Sequence, residues 1–214
     1  MFVASFDIGK CNFAFCIERF DSSNLKKIKS IQKSLRYTKE NECTLEFQPI
    51  IDAVCMEGEL VLHENLDITH GSKKSKYLDD VVFLNMYNTL DEYASEFDKC
   101  DIILIEQQMS FGANKTNTMA IKLAQHCKSY FIYKYRGTKE IVDFPAYHKT
   151  QVLGAIKGLT KPQRKKWSVE KAVDILLQRN DMKTIDMISE KKKRDDLADV
   201  FIQLQAFKFL RFVD

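Results

Sequence analysis

Met1-Phe2-Val3-Ala4-Ser5-Phe6-Asp7-Ile8-Gly9 decides how the rest of the chain is read. It is an apolar strand ending in one carboxylate, followed at once by a glycine. An acid directly after a buried run is costly unless something uses its charge. Gly9 lets the backbone turn or approach a ligand closely. The same pattern returns in Asp101-Ile102-Ile103-Leu104-Ile105-Glu106, another apolar run closed by an acid. A third place, Lys193-Arg194-Asp195-Asp196-Leu197-Ala198-Asp199, puts three acids at the start of an apolar helix. We expect Asp7, Glu106 and the Asp196/Asp199 pair to meet and to hold divalent metal for phosphodiester hydrolysis.

The chain is long enough, at 214 residues, for a large core, and one domain is the expected organisation. Its 45% hydrophobic and 29% charged content is that of an ordinary globular protein. A net charge of +3 is small, so an argument for nucleic acid must rest on where the charge sits. The six cysteines contain no C-x-x-C pair, which argues against a structural zinc. No apolar run approaches the roughly 18 residues of a membrane span, and the start lacks the basic, apolar form of a signal peptide. These features predict an intracellular protein in a reducing compartment, with free thiols and no membrane partner.

Alternation of Phe13, Phe15 and Ile17 with polar or small residues predicts a second strand, antiparallel to the first. Glu59 to Ile68 reads as a third. Phe83, Tyr87, Leu90, Ala94 and Phe97 fall on one helical face over 79–97. Ile102 to Ile105 reads as a strand buried on both faces. Thr116 to Tyr133 reads as a helix, Glu140 to Phe144 as a strand, and Ser168 as the cap of a further helix. The last helix runs from about Arg194 to Phe212, with Leu197, Val200, Phe201, Leu204 and Phe207 inward. Residues 21–58 yield no clear period. The order of elements predicts an α/β fold: a mixed sheet with helices on both faces.

Two metal ions about 3.5–4 Å apart can stabilise both the attacking and leaving oxygens of a phosphodiester. Magnesium takes oxygen ligands, and acids from separate strand ends and a nearby helix can supply them. On the last helix Asp199 shares a face with either Asp195 or Asp196. At 100° per residue Asp196 borders the apolar stripe, which favours it as the inward partner and leaves Asp195 near solvent. Taken singly, each acid is equally a strand-end residue or a helix-start acid favoured by the dipole.

At these residues the chain resembles the RuvC-like Holliday junction resolvases of the RNase H-like superfamily, in their poxvirus and yeast mitochondrial branches. Asp7-Ile8-Gly9-x-x-Asn12-x-Ala14 is similar to the family's first-strand motif, and Ile105-Glu106-Gln107-Gln108 to its second. Lys165-Lys166-x-Ser168-Val169-Glu170 is similar to a basic helix start. Asp195-Asp196-Leu197-Ala198-Asp199 is similar to the C-terminal D-x-x-D motif, which selects Asp196 over Asp195. Bacterial members carry Pro after the first aspartate; this chain has Ile8 there. The resemblance implies one RNase H-like nuclease domain over 1–214, on a five-stranded mixed sheet, with residues 21–58 as an insertion. It implies catalysis and metal binding by Asp7, Glu106, Asp196 and Asp199, with two magnesium or manganese ions. It also implies a homodimer that nicks four-way DNA junctions symmetrically. A large DNA virus is the implied source, and host-cell cytoplasm the implied location.

The segment Tyr147–Lys171 holds seven lysines and arginines against one acid, Glu170. We expect Lys149, Lys165 and Lys166 to contact the DNA backbone, each neutralised phosphate adding counterion release. Lys149 also sits where the resembled family carries a lysine after its penultimate strand. A solvated lysine-rich loop is the plain alternative. Lys191–Arg194 is a second basic run. Phe111 is read as either a core cap or a wedge between bases, Trp167 as packed, and His148 as a bystander more than a proton carrier. Competing functions are a ribonuclease H, a flap or duplex nuclease, and a DNA-binding protein whose acids are structural.

Overall fold

Side-chain alternation along the first strand sorts the molecule into two cores. The computed structural model describes residues 1–72, 78–108, 118–190 and 193–214. Strands β1 (Phe2–Ile8), β2 (Phe13–Arg19), β3 (Glu59–Leu66), β4 (Ile102–Gln107) and β5 (Glu140–Pro145) form one sheet in the order β3-β2-β1-β4-β5. β1–β2 and β2–β3 are antiparallel; β1–β4 and β4–β5 are parallel. This is the expected mixed five-stranded sheet.

The helices are α1 (Ser22–Leu25), α2 (Gln48–Met56), α3 (Asp80–Glu92), α4 (Ala94–Phe97), α5 (Thr118–Tyr135), α6 (Ala146–Val152), α7 (Lys161–Gln178), α8 (Met182–Glu190) and α9 (Arg194–Phe212). Ala4, Phe6 and Ile8 point into the core shared with α3 and α5. There Phe6, Phe15, Phe97 and Phe131 pack with ring centroids 5.3–5.5 Å apart. That is the range of favourable aromatic pairs. Val3, with Cys16, Ile102 and Leu104, points into the core built on α9.

Three expectations are corrected. The helix over 79–97 is two helices, because Tyr93 leaves the helical region at φ −94°, ψ 11°. Ser168 does not cap a helix. It is buried inside α7, which starts seven residues earlier, where Thr160 and Gln163 form a capping box and Pro162 sits in the first turn. α9 has no polar face over its middle: Gln203, Gln205 and Lys208 are as buried as the stripe. The cause is an outer layer of α2, α6, α7 and α8 that covers the side of α9 facing away from the sheet. Residues 21–58, which show no clear period in the sequence, contribute to that outer layer. Phe47, Ile51, Val54 and Cys55 are core residues, and Arg36 lies over the Phe47 and Phe209 rings and pairs with Asp214 at 2.5 Å. Phe111 and the Lys191-Lys192 part of the second basic run lie outside the described residues.

Among the described residues no helix is long and apolar enough to cross a membrane. All six cysteines are free.

Candidate active site

Parallel pairing sets Phe6 opposite Ile105, so Asp7 and Glu106 leave adjacent strands at the same edge. Alternation sets their direction. Val3 on β1, and Ile102 and Leu104 on β4, face α9, and residues of the same parity share that face. The first turn of α9 begins beneath this edge, bringing Asp196 and Asp199 to the strand-end acids. β5 ends one residue later than Glu106 in register, and α6 then carries Lys149 back over the group.

Three polar contacts hold the start of α9 there. Lys193 Nζ donates to Asn12 Oδ1 at 2.6 Å. Asn65 Nδ2 donates to the Lys193 carbonyl at 3.4 Å. His63 Nε2 lies 2.8 Å from the carbonyl of Leu197, between the two aspartates of the D-x-x-D pair. Burial pushes the His63 pKa down to about 4, so the ring is neutral and donates. Sequence analysis did not single out His63; the usable signal was its parity on β3, opposite Cys16 on the α9 face.

Lys149 corrects the sequence reading most sharply. It is not on an open surface but 8% exposed, with Nζ 2.7 Å from Glu106 Oε2 and 3.1 Å from Asp199 Oδ2. Burial would push its ammonium down, but Glu106, Asp199 and Asp7 together hold it above the ordinary lysine range. The acids show the converse. Burial, then the Glu106 charge, pushes Asp7 well above the usual carboxylate value, and Lys149 only partly offsets this. Burial and neighbouring Asp195 raise Asp196 likewise.

Asp195 faces Lys165, with which it forms an ion pair. Lys165 is thus engaged, while Lys166 is exposed and pairs with Glu170 at 3.5 Å. Both lysines line a groove of about 420 Å³ between α7 and the start of α9. A larger groove, about 560 Å³, runs between α3 and α5 past Tyr87, Tyr130 and Tyr133 and holds none of these acids. His148 packs against Tyr147 and Phe144. Trp167 is partly buried against the α9 core.

Among the described residues, no three His, Cys, Asp or Glu groups stand close enough, as placed, to hold one metal ion. Lys149 Nζ lies between Glu106 and Asp199. The donor set nevertheless fits a hard cation. Asp196 Oδ2 and Asp199 Oδ1 are buried with no hydrogen-bond partner among the described residues. Buried polar atoms are rarely left so. The donors are all carboxylate oxygens, the type that magnesium and manganese take.

No family model matches the chain. It is 35% identical over 243 residues to the uncharacterized protein 170L of Invertebrate iridescent virus 6, spanning 98% of this chain and 89% of that protein. It is 31% identical over 219 residues to protein 97L of Invertebrate iridescent virus 3, spanning 96% and 98%. Among solved structures it is similar to the Fowlpox virus resolvase in complex with Holliday junction DNA. That likeness has a TM-score of 0.57 and 19% identity, over 99% of both chains. It is also similar to Thermus thermophilus RuvC, with a TM-score of 0.55 and 10% identity over 99% and 98%. The chain therefore belongs to the family of proteins 170L and 97L of the invertebrate iridescent viruses, and its fold is the RNase H-like fold of the poxvirus and RuvC resolvases.

Proposed function

We propose that the protein is a divalent-metal-dependent endonuclease that resolves four-way DNA junctions by paired symmetric nicks, as a homodimer. The observation that carries this reading is the meeting of Asp7, Glu106 and Asp199 around Lys149, with Asp196 alongside, on a fold shared with enzymes solved on junction DNA. In this reading residues 1–214 are one nuclease unit, with 21–58 as an insertion. Two nicks placed symmetrically on a two-fold substrate call for a two-fold enzyme.

Asp7, Glu106, Asp196 and Asp199 would hold magnesium or manganese, which when bound supplies Lewis-acid stabilisation and an activated water. The other residues act directly. Lys149 balances the charge of Glu106 and Asp199 and fixes their orientation. His63, Asn12 and Asn65 keep the first turn of α9 against the strand ends. Lys165 and Lys166, on the basic start of α7, hold the phosphate backbone beside the acids.

Crowded acids make metal a stabiliser. A cation that binds only the folded state at a hundredfold excess over its Kd adds about 2.7 kcal/mol. For a chain this size that corresponds to roughly 5–10 °C in Tm. We expect a rise of that order with magnesium or manganese, and a smaller one in Asp7→Asn and Glu106→Gln. In chelator the order reverses. A carboxyl whose folded pKa is raised loses stability as pH rises past its unfolded value, so Asp7→Asn should melt above the unsubstituted protein at pH 7. A melting curve unmoved by metal up to tens of millimolar contradicts the site.

Backbone contacts leave a different signature. Lys166→Ala should weaken junction binding at low salt and make the salt slope shallower by about one, with a gel-shift titration at several salt concentrations as the measure. An unchanged slope removes Lys166 from the interface.

A further inference from the structure

We propose that the hairpin at residues 37–43, within the 21–58 segment, is a strap that positions Lys149 among the carboxylates. α6 has only seven residues, too few to be stable as an isolated helix. Its last carbonyls have no partner within the helix and must find donors elsewhere. The hairpin supplies them. Tyr37 Oη donates to the Val152 carbonyl at 2.9 Å. Asn41 Nδ2 donates to the carbonyls of Gln151, at 3.2 Å, and of Ala155, at 2.9 Å. The Ala155 amide closes the turn onto Thr150 at 2.9 Å.

The clasp is reciprocal. The Lys157 amide donates to the Glu40 carbonyl, and Lys157 Nζ to the Lys39 carbonyl, both at 2.9 Å. The hairpin is itself held by the Tyr37–Cys43 bridge and by the Tyr37 ring on Phe47, with centroids 5.1 Å apart. Close approach requires Gly154, at φ +83°: a Cβ there would lie 2.7 Å from Cys43 Sγ. Lys149 lies about one turn before these capped carbonyls. The strap therefore fixes the end of the short helix that aims it, and Tyr37 and Asn41 are positioning residues.

Two gentle substitutions test this. Tyr37→Phe keeps the ring packing and deletes one hydroxyl. Asn41→Gly deletes the amide and tolerates the φ of +76° at that position. The first readout is independent of catalysis: acylation of lysines by an amine-reactive reagent, followed peptide by peptide. Lys149 should react at least about fivefold faster in the double variant, with the overall melting transition still cooperative, while exposed Lys166 is unchanged.

The second readout rests on the nuclease reading. Single-turnover nicking should fall by about ten- to a hundredfold, the loss that a misplacement near 1 Å produces, with junction Kd within about twofold. Lys149→Gln should lose a similar factor, and adding the strap substitutions to it should lose no more, because they act through that lysine. Lys149 as well shielded in the double variant as in the parent overturns the proposal, whatever happens to nicking. So does full additivity with Lys149→Gln. If the unsubstituted protein nicks no junction, the nuclease reading fails, and the acylation result still decides the strap.

Discussion

Asp196→Asn and Asp199→Asn are expected to bind a four-way junction at least as tightly as the unsubstituted protein and to fail to nick it. Each change removes a carboxylate from the group in which Asp7 and Asp196 are held above the usual carboxylate range, and each removes a negative charge that repels DNA. The orphaned Asp196 Oδ2 and Asp199 Oδ1 are the atoms that, in the proposed site, would be lost or weakened as ligands. The expected fall in single-turnover rate is at least about a thousandfold, or about 4 kcal/mol of barrier. Asp195→Asn is the contrast. Its partner is Lys165, so it should retain nicking within about tenfold. The measurement is single-turnover cleavage at saturating enzyme, alongside a gel-shift titration. A dead Asp195→Asn beside a normal Asp196→Asn would require rebuilding the site around Asp195 and Asp199.

The largest effect on stability lies away from the acids, where Glu18 is fully buried between α9 and α7. Its Oε1 accepts from Lys208 Nζ at 2.6 Å and Arg179 Nη2 at 3.0 Å, and its Oε2 accepts from Gln205 Nε2 at 2.6 Å. Lys208 is fully buried too, and burial pushes its pKa down. Glu18→Gln leaves that ammonium without its counter-charge, a loss of about 3–5 kcal/mol, or roughly 10–15 °C in Tm for this length. The pH dependence has a definite sign. Burial would raise the Glu18 pKa, but Lys208 and Arg179 outweigh it and the net shift is downward. The stabilisation is complete above the unfolded glutamate value of about 4.3 and disappears as pH falls through the lower folded value. The gap between the two proteins should therefore be constant near neutrality and close only in acid. A Glu18→Gln protein that melts within a degree or two of the parent at pH 7 contradicts this account of the cluster.

Asp7 and Glu106 were readable from sequence because strand alternation and an acid at the end of an apolar run are both local signals. The sheet and the start of α9 follow from the same periodicity. Lys149 was misread because it was counted with a basic run stretching to Lys171. Charge along a chain does not say which lysine turns inward, and only the β4–β5 register places this one over Glu106. Gln203, Gln205 and Lys208 look like a solvent face by period; their burial depends on Ser5, Glu18 and an outer helical layer distant in sequence. Residues 21–58 were illegible for the same reason. What orders them are long-range pairs, Arg36 with Asp214 and Tyr37 with Val152, which leave no period behind. Thr160-x-x-Gln163 was a local signal that lost to the nearer Ser168.

The decisive measurement is cleavage of a mobile four-way DNA junction with magnesium, mapped on all strands, beside a matched DNA duplex and an RNA–DNA duplex. The account predicts metal-dependent nicks at symmetric positions on two opposed strands, absent in Asp7→Asn, with the linear duplexes left intact. A junction that stays whole, or duplexes cut as readily as the junction, would contradict it.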